Sequence, residues 1–403
     1  MPRLFAFITD AQILTLLLIF VKTLDPYTKH PMIISPSFGT LIKPLQKALF
    51  KEQYSAATPI QEQAIPAILK GDDVLAVAQT GTGKTAAFLL PVLQMVAKEK
   101  KATQGFQALI LAPTRELAIQ TGEYTYRYGR YLPLSHVVIY GGVPHQPQIE
   151  MLKGEIDLII ATPGRLLELV HRGALRLDRI KILVLDEADR MLDMGFLPDI
   201  RTILSLLSAK RQSLLFTATL SPLTSLLADS LLHNPTTLSI TPAASVGDQI
   251  NQCVWEVERT RKEEVLLKLL RDPATESAII FLNSRKGADR LYQRLKKLGL
   301  SVGILHADLK QTARLRIVDE LRERKIRFLI ATDLAARGLD IDHLSHVINY
   351  EMPQKPENYV HRIGRTGRAG NPGTAISLCD KAERKVLAQI ERLTGETIKS
   401  VMG

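Results

Sequence analysis

Eight residues constrain this chain more than any others: Ala78-Gln79-Thr80-Gly81-Thr82-Gly83-Lys84-Thr85, set between the apolar run 74–77 and Ala86-Ala87-Phe88-Leu89-Leu90. Strand, glycine loop and helix in that order form a cradle for nucleotide phosphates. Gly81 and Gly83 lack a Cβ, so the backbone can take positive φ and turn its N–H groups onto phosphate oxygens, at the positive end of the following helix. Lys84 then reaches the β- and γ-phosphates, and the Thr85 hydroxyl can ligate Mg²⁺. A glycine-rich loop can match by chance, but the flanking strand and helix argue against that. The loop leaves open which of many nucleotide-hydrolysing proteins this is.

A chain of 403 residues exceeds what one hydrophobic core usually serves, so about two or three domains are expected. The net charge is +11, and residues 250–403 hold 28 Lys and Arg against 20 Asp and Glu, so this part carries most of the excess. A polyanionic partner fits that balance, although a basic surface can serve solubility alone. Cys253 and Cys379 lie far apart and outside any metal-ligand spacing, as expected of buried thiols in a reducing compartment. The first 34 residues stand apart, because 13–21 is apolar all round. Nine residues are too few for a bilayer, which needs roughly 20, and Asp10 and the lack of a small-residue cleavage site argue against a signal peptide. The segment reads as an extension packed on the first domain or as residues upstream of the true start.

From Phe38, Leu41, Leu45 and Leu49 recur at helical spacing, and Thr58-Pro59-Ile60-Gln61 opens a second helix with Thr58 as N-cap and Pro59 in the first turn. These residues can be purely structural. Just upstream of the phosphate loop, however, the Gln61 carboxamide also offers the donor and acceptor that suit the N6/N7 edge of adenine. After the loop, continuous apolar runs at 108–111, 137–140, 158–160, 182–185 and 214–216 alternate with helical stretches, the pattern of a parallel sheet covered on both faces. Polar motifs follow these runs at the sheet edge where ligands bind: Pro113-Thr114-Arg115-Glu116, Gly141-Gly142, Thr162-Pro163-Gly164-Arg165, Asp186-Glu187-Ala188-Asp189 and Thr217-Ala218-Thr219. An acid ending a hydrophobic strand beside a phosphate loop can hold Mg²⁺ through water, a role for Asp186. The next carboxylate, Glu187, can orient or deprotonate the attacking water. Such a cluster can also be a solvated acidic turn.

The glycine loop, Asp186-Glu187-Ala188-Asp189 and Thr58-Pro59-Ile60-Gln61, in that family's order, resemble a DEAD-box RNA helicase of superfamily 2 over about 38–393, most closely the bacterial RhlE-like branch. The resemblance implies an α/β fold of two tandem RecA-like domains, each a mostly parallel sheet with helices on both faces. It implies ATP and Mg²⁺ as cofactors, with Phe38, Gln61, Thr80, Gly81, Thr82, Gly83, Lys84 and Thr85 on the nucleotide. Asp189, Thr217, Thr219 and His361 would couple the two activities. Two departures are visible: Thr217-Ala218-Thr219 stands where the family has Ser-Ala-Thr, keeping a hydroxyl at each end. The stretch between Phe38 and Thr58 is about two residues short, with Gln53 in place of a usual glycine, which bears on how Phe38 packs over the adenine pocket.

The breaker-rich run 241–249 reads as a linker between domains at 35–240 and 250–403. A second α/β series follows, with strands expected at 278–282, 302–305, 328–331, 347–348 and 375–378, but no second phosphate loop. This half is therefore expected to complete the first half's site. Its candidate groups are Ala331-Thr332-Asp333-Leu334-Ala335-Ala336-Arg337-Gly338-Leu339-Asp340 and His361-Arg362-Ile363-Gly364-Arg365-Thr366-Gly367-Arg368. Three arginines three apart can be a basic helical face, but Gly364 and Gly367 weaken a helix there. By resemblance, Arg365 and Arg368 reach the γ-phosphate, Arg368 as arginine finger, and Asp340 contacts the ribose. By resemblance too, Thr114, Arg115, Gly142, Thr162 and Arg165 grip an RNA backbone from one side, and Arg285, Gln311, Arg314 and Thr332 from the other. Amides, hydroxyls and guanidiniums suit phosphate and 2′-OH contacts and carry little base information.

The expectation is an ATP-dependent RNA helicase acting on single strands and short duplexes without sequence preference. Ribosomal or RNA-decay proteins are candidate partners, the location is cytoplasmic, and no stable membrane association is expected. A DNA-directed motor of the same superfamily and an RNA clamp with little unwinding are the alternatives. Relatives often carry a long basic tail where this sequence stops, so targeting to one RNA is not expected within it.

Overall fold

The computed structural model describes residues 35–79, 81–99, 107–240, 250–306, 308–309, 311–336, 344–367 and 373–402. Seven parallel strands form the first sheet: β1 (Val74–Ala78), β2 (Ala108–Leu111), β3 (His136–Ile139), β4 (Leu158–Ala161), β5 (Ile182–Leu185), β6 (Gln212–Thr217) and β7 (Thr236–Ile240). Their order across the sheet is β3-β4-β2-β5-β6-β1-β7. A second sheet of seven is built from β8 (Ile250–Glu256), β9 (Ala278–Leu282), β10 (Val302–Leu305), β11 (Phe328–Thr332), β12 (His346–Asn349), β13 (Gly373–Cys379) and β14 (Lys399–Met402), in the order β10-β11-β9-β12-β13-β8-β14. The two orders correspond place for place, so β8 holds in the second sheet the place that β1 holds in the first.

The inner strands are buried on both faces, as parallel sheets covered by helices require. Along β2, Ala108 and Ile110 join one core cluster and Leu109 and Leu111 the other. Ile279 and Phe281 of β9 divide from Ala278, Ile280 and Leu282 in the same way. The expected strands are all present within a residue or two. Expectation missed β7, β8 and β14, whose interspersed polar residues follow from their place at or next to a sheet edge. The polar motifs from Pro113 to Thr219 stand at the C-terminal ends of strands of the first sheet, and Thr332-Asp333 ends β11, whereas His361-Arg362-Ile363-Gly364 ends a helix. The loops therefore meet at one edge of each sheet. Among the described residues no helix is long and apolar enough to cross a membrane. Residues 1–34 and 241–249 lie outside the described residues.

The two halves touch. Arg314 Nη2 lies 3.1 Å from Glu116 Oε1, and Lys355 Nζ lies 3.6 Å from Asp193 Oδ1. The first pair is buried, the second largely exposed.

Candidate active site and nucleic-acid groove

The phosphate loop has the backbone its glycines imply, with φ of 84° at Gly81 and 91° at Gly83. A Cβ on Gly83 would stand 2.4 Å from Gln61 Nε2, so close approach as well as φ demands glycine there. The buried Gln61 carboxamide ties two elements together. Its Oε1 accepts from the Thr58 N–H (3.0 Å), and its Nε2 donates to the Gly83 carbonyl (3.1 Å). One N–H and one lone pair remain for a base edge. The Thr58 hydroxyl is buried without a partner. Phe38 is buried in the core, edge-on to Tyr54 with ring centroids 6.2 Å apart. Its turn is tied to the Gln61 helix by the Ser37 N–H, which donates to Glu62 Oε2 (3.2 Å). Gln53, where the family has glycine, takes φ of 59°.

Lys84 opens the helix Lys84–Glu99, and its Nζ donates to the Ala78 carbonyl at 2.6 Å. Thr82 Oγ1 donates to the Gln79 carbonyl (2.8 Å), and Thr85 is half-buried at the start of the helix. Thr80 lies outside the described residues. Asp186, ending β5, is 2% exposed. Burial and then the Glu187 charge push its carboxyl above the usual range, against the pull of Lys84 and Arg190. Glu187 sits at φ 53°, a left-handed conformation unusual for a side-chain-bearing residue, as strained residues at reactive sites often are. Burial pushes its carboxyl up too, but Arg190, Lys84 and Arg365 together outweigh burial and hold it below the usual carboxylate range. Two adjacent acids are thus driven apart, the separation wanted of one group that meets a cation and one that meets a proton. Arg190, which the sequence reading passed over, is buried and ion-paired to Glu187.

Asp189 joins this acid pair to the end of β6. Its Oδ2 accepts from the Thr219 N–H (2.9 Å), the Thr219 hydroxyl (3.0 Å) and the Ala218 N–H (3.2 Å). Thr217 Oγ1 donates to the Thr219 carbonyl at 2.8 Å. The threonine that replaces serine therefore keeps a hydroxyl that is used.

From the second half, the charge of Arg365, a residue 6% exposed, acts on Glu187 and helps to hold its carboxyl down. The arginines of this stretch do not share a helical face, because the helix Pro356–Ile363 stops at Gly364. Arg362 turns inward, with Nε 2.5 Å from Asp333 Oδ1 and Nη2 2.9 Å from Asn283 Oδ1, and its guanidinium carbon lies 5.0 Å from the centre of the Phe281 ring. It holds together the ends of β9 and β11. His361 is half-buried on the same helix. Arg368 and Asp340 lie outside the described residues.

Three of the residues assigned to RNA in the first half, Arg115, Gly142 and Arg165, meet around one loop. Arg115 packs so closely on Gly142 that a Cβ there would fall 2.0 Å from Nη1, and Gly142 has φ of 81°. Arg165 Nη2 donates to the Val143 carbonyl at 2.9 Å, and its Nη1 is buried without a partner. Thr162 stands at the N-cap of the helix that carries Arg165. Thr114 caps its own helix, accepting from the Leu117 N–H at 3.2 Å. Glu168 was not foreseen; it receives Arg165 Nε at 2.9 Å and holds the guanidinium in place.

In the second half, Arg285 and Thr332 line a groove of about 820 Å³ that also takes in Asp193 of the first half. Arg285 is ion-paired to Asp308. Gln311 begins the helix Gln311–Arg322, but its side chain is outside what is described. Arg314 is drawn between the halves, donating to the Ala335 carbonyl (3.1 Å) as well as pairing with Glu116. Burial and the nearby Arg115 lower its basicity, and Glu116 offsets that only in part.

The DEAD/DEAH box helicase family matches residues 58–226, and the helicase conserved C-terminal domain matches 261–370. The DEAD-box ATP-dependent RNA helicase CshA of Geobacillus kaustophilus is 42% identical over 88% of this chain and 75% of its own length. The ATP-dependent RNA helicase CshA of Listeria monocytogenes is 43% identical over 89% of this chain and 68% of its own. Among solved structures, S. cerevisiae Dbp5 bound to RNA and ADP BeF3 matches with a TM-score of 0.81 at 34% identity, covering 90% of this chain and 94% of that one. A DEAD box protein from Methanococcus jannaschii, 36% identical over 90% of this chain and 97% of its own, scores 0.54. On these likenesses the chain is a member of the DEAD-box ATP-dependent RNA helicase family.

Proposed function

We propose that the chain hydrolyses ATP between its halves, 35–240 and 250–403, and that closure on RNA couples hydrolysis to local separation of short duplexes and remodelling of RNA–protein complexes. The observation that carries this reading is that the charge of Arg365 in one half acts on Glu187 in the other, since neither half alone then has the whole site. An arginine that arrives on closure stabilises the charge of phosphoryl transfer more than the ground state.

In this reading, the loop 79–83 and Lys84 bind the phosphates, and Lys84 leaves the Ala78 carbonyl to do so. Gln61 and Phe38 serve the base, and Asp340 the ribose. Glu187 stays ionised at neutral pH, so it can accept the proton of the attacking water, and Arg190 keeps its carboxylate oriented. Arg365 and Arg368 face the γ-phosphate. Asp186 and Thr85 would hold Mg²⁺, which when bound offsets phosphate charge. The fit rests on Asp186, a carboxylate buried at a cost that a hard cation repays. Asp189 passes movement at the acids to Thr217 and Thr219, and His361 takes part from the other side. Thr114, Arg115, Gly142, Thr162 and Arg165 hold RNA backbone from one half, and Arg285, Gln311, Arg314 and Thr332 from the other. The likeness to Dbp5 bound to RNA and ADP BeF3 supports closure of this kind.

The test is ATP hydrolysis with and without RNA in the wild type and in Lys84→Ala. RNA should stimulate the wild type, and the variant should lose both turnover and ATP-dependent tight RNA binding. Wild-type turnover by Lys84→Ala would sink the phosphate-loop assignment, and equal stimulation by DNA would sink the preference for RNA.

A further inference from the structure

A second groove, about 970 Å³, opens on the second half at the C-terminal ends of β9, β12 and β13. It shares Asn283 and Ser284 with the groove that carries Arg285 and Thr332, so the two are continuous around the end of β9. One wall is the helix Arg285–Lys297, which has six cations against the single Asp289. Arg290, Arg294 and Lys297 recur on its groove face at helical spacing, and Arg259 faces them from the turn after β8.

The groove's own carboxylates are already engaged. Glu263 receives Arg294 Nε at 2.9 Å, Glu351 accepts from the Asn283 N–H at 2.7 Å, and Glu383 and Asp380 turn toward Lys262. Arg290 and Lys297 have no ion pair among the described residues, and both are exposed. A net positive lining therefore remains. The groove also occupies the place that the phosphate loop occupies in the first half. There β1 runs through a glycine loop into Lys84, whereas here β8 runs through Val257-Glu258-Arg259-Thr260-Arg261 into Lys262. No glycine is present to turn backbone N–H groups inward, and Lys262 Nζ is committed to Glu383 (2.5 Å) and the Tyr350 carbonyl (3.1 Å). The crevice of a nucleotide site is retained while its triphosphate cradle is gone. Its charge stands on long side chains along a helix that spans roughly 18 Å from Arg285 to Lys297, a length that suits several successive phosphates of a strand.

Resting on the helicase reading above, we propose that this groove is a second RNA-phosphate site, which takes the strand where it leaves the cleft past Ser284 and runs beside Arg290 and Lys297. The experiment uses the full chain, an ATP analogue and oligouridine strands lengthened one nucleotide at a time, at the 5′ end in one series and at the 3′ end in the other. The wild type should show a second rise in affinity in one series only. If two more phosphates are neutralised, the log–log salt slope should steepen by about 1.4, so a fourfold rise in salt should cut the long-strand advantage about sevenfold. The double variant Arg290→Glu, Lys297→Glu should lose the second rise and the extra slope, while keeping wild-type affinity for the shortest strand and its stimulation of hydrolysis. No second rise in either series, or a rise that survives in the variant, would overturn the proposal. Failure of the shortest strand to stimulate the wild type would overturn the helicase reading and this one together.

Discussion

Glu116→Ala removes half of the buried ion pair between the halves while leaving the phosphate loop and both acids untouched. Glu116 and Arg314 are 3.1 Å apart, with side chains 5% and 14% exposed, so the pair belongs to the buried class and not to the surface class worth little. Burial and the nearby Arg115 lower the basicity of Arg314 despite Glu116, as expected of a guanidinium taken out of water. Without the carboxylate, the guanidinium enters the closed interface with no counter-charge, keeping only its bond to the Ala335 carbonyl. Removing one partner of a buried pair costs about 3–5 kcal/mol, and the residual exposure of Arg314 points to about 3. The open form loses little, because Arg314 is then free to meet water. The closed population should fall by about 150-fold. Dyes placed on each half report closure by energy transfer as RNA is titrated with an ATP analogue. The expected result is an apparent RNA affinity about 150-fold weaker, with ATP binding in the absence of RNA unchanged. Arg314→Ala with Glu116→Ala should be no worse than Arg314→Ala alone, since the shared term is already gone. Closure unaltered by Glu116→Ala would refute the reasoning.

Two further substitutions test the site and its support. Glu187→Gln keeps size and hydrogen bonding but loses the ionised base, so hydrolysis should slow by about 10² to 10⁴ while ATP and RNA still bind; loss of ATP binding by a folded variant would instead place Glu187 on the cation. Gln53→Gly should stabilise the protein by about 0.5–1 kcal/mol, read as a raised midpoint of thermal unfolding, because relief of a left-handed side chain exceeds the extra chain entropy of glycine; a lowered midpoint would contradict this.

What could be read from the sequence was whatever a short spacing or a continuous apolar run encodes by itself. Gly81, Gly83 and Lys84 are such a case, since the residue types dictate the backbone that a phosphate cradle needs. The inner strands are another, because burial on both faces leaves no room for polar alternation. β7 and β14 escaped for the converse reason, being edge strands, and β8 because Asn251, Gln252 and Glu256 interrupt its apolar residues. Gln53 was legible as an exception, and its positive φ shows the chain keeping the turn while giving up the residue that suits it. The turn persists because the Tyr54 N–H closes on the Leu49 carbonyl at 3.0 Å, with Tyr54 then fixed against Phe38 and Tyr128.

Contacts between distant residues left no such trace. Nothing in Pro113-Thr114-Arg115-Glu116 says that the arginine packs on Gly142 while the next residue pairs with Arg314, because both partners are set by how the loops meet at the sheet edge. Arg190 directly follows Asp189, so its position was in view, but its pairing with Glu187, which stands at the left-handed start of the helix, was not. The carboxamide of Gln61 has donors and acceptors for adenine and for the phosphate loop alike, and spacing cannot divide them. The structure commits half of that capacity to Thr58 and Gly83. A base bound at the remaining N–H and lone pair would therefore be sensed directly by the loop that holds its phosphates.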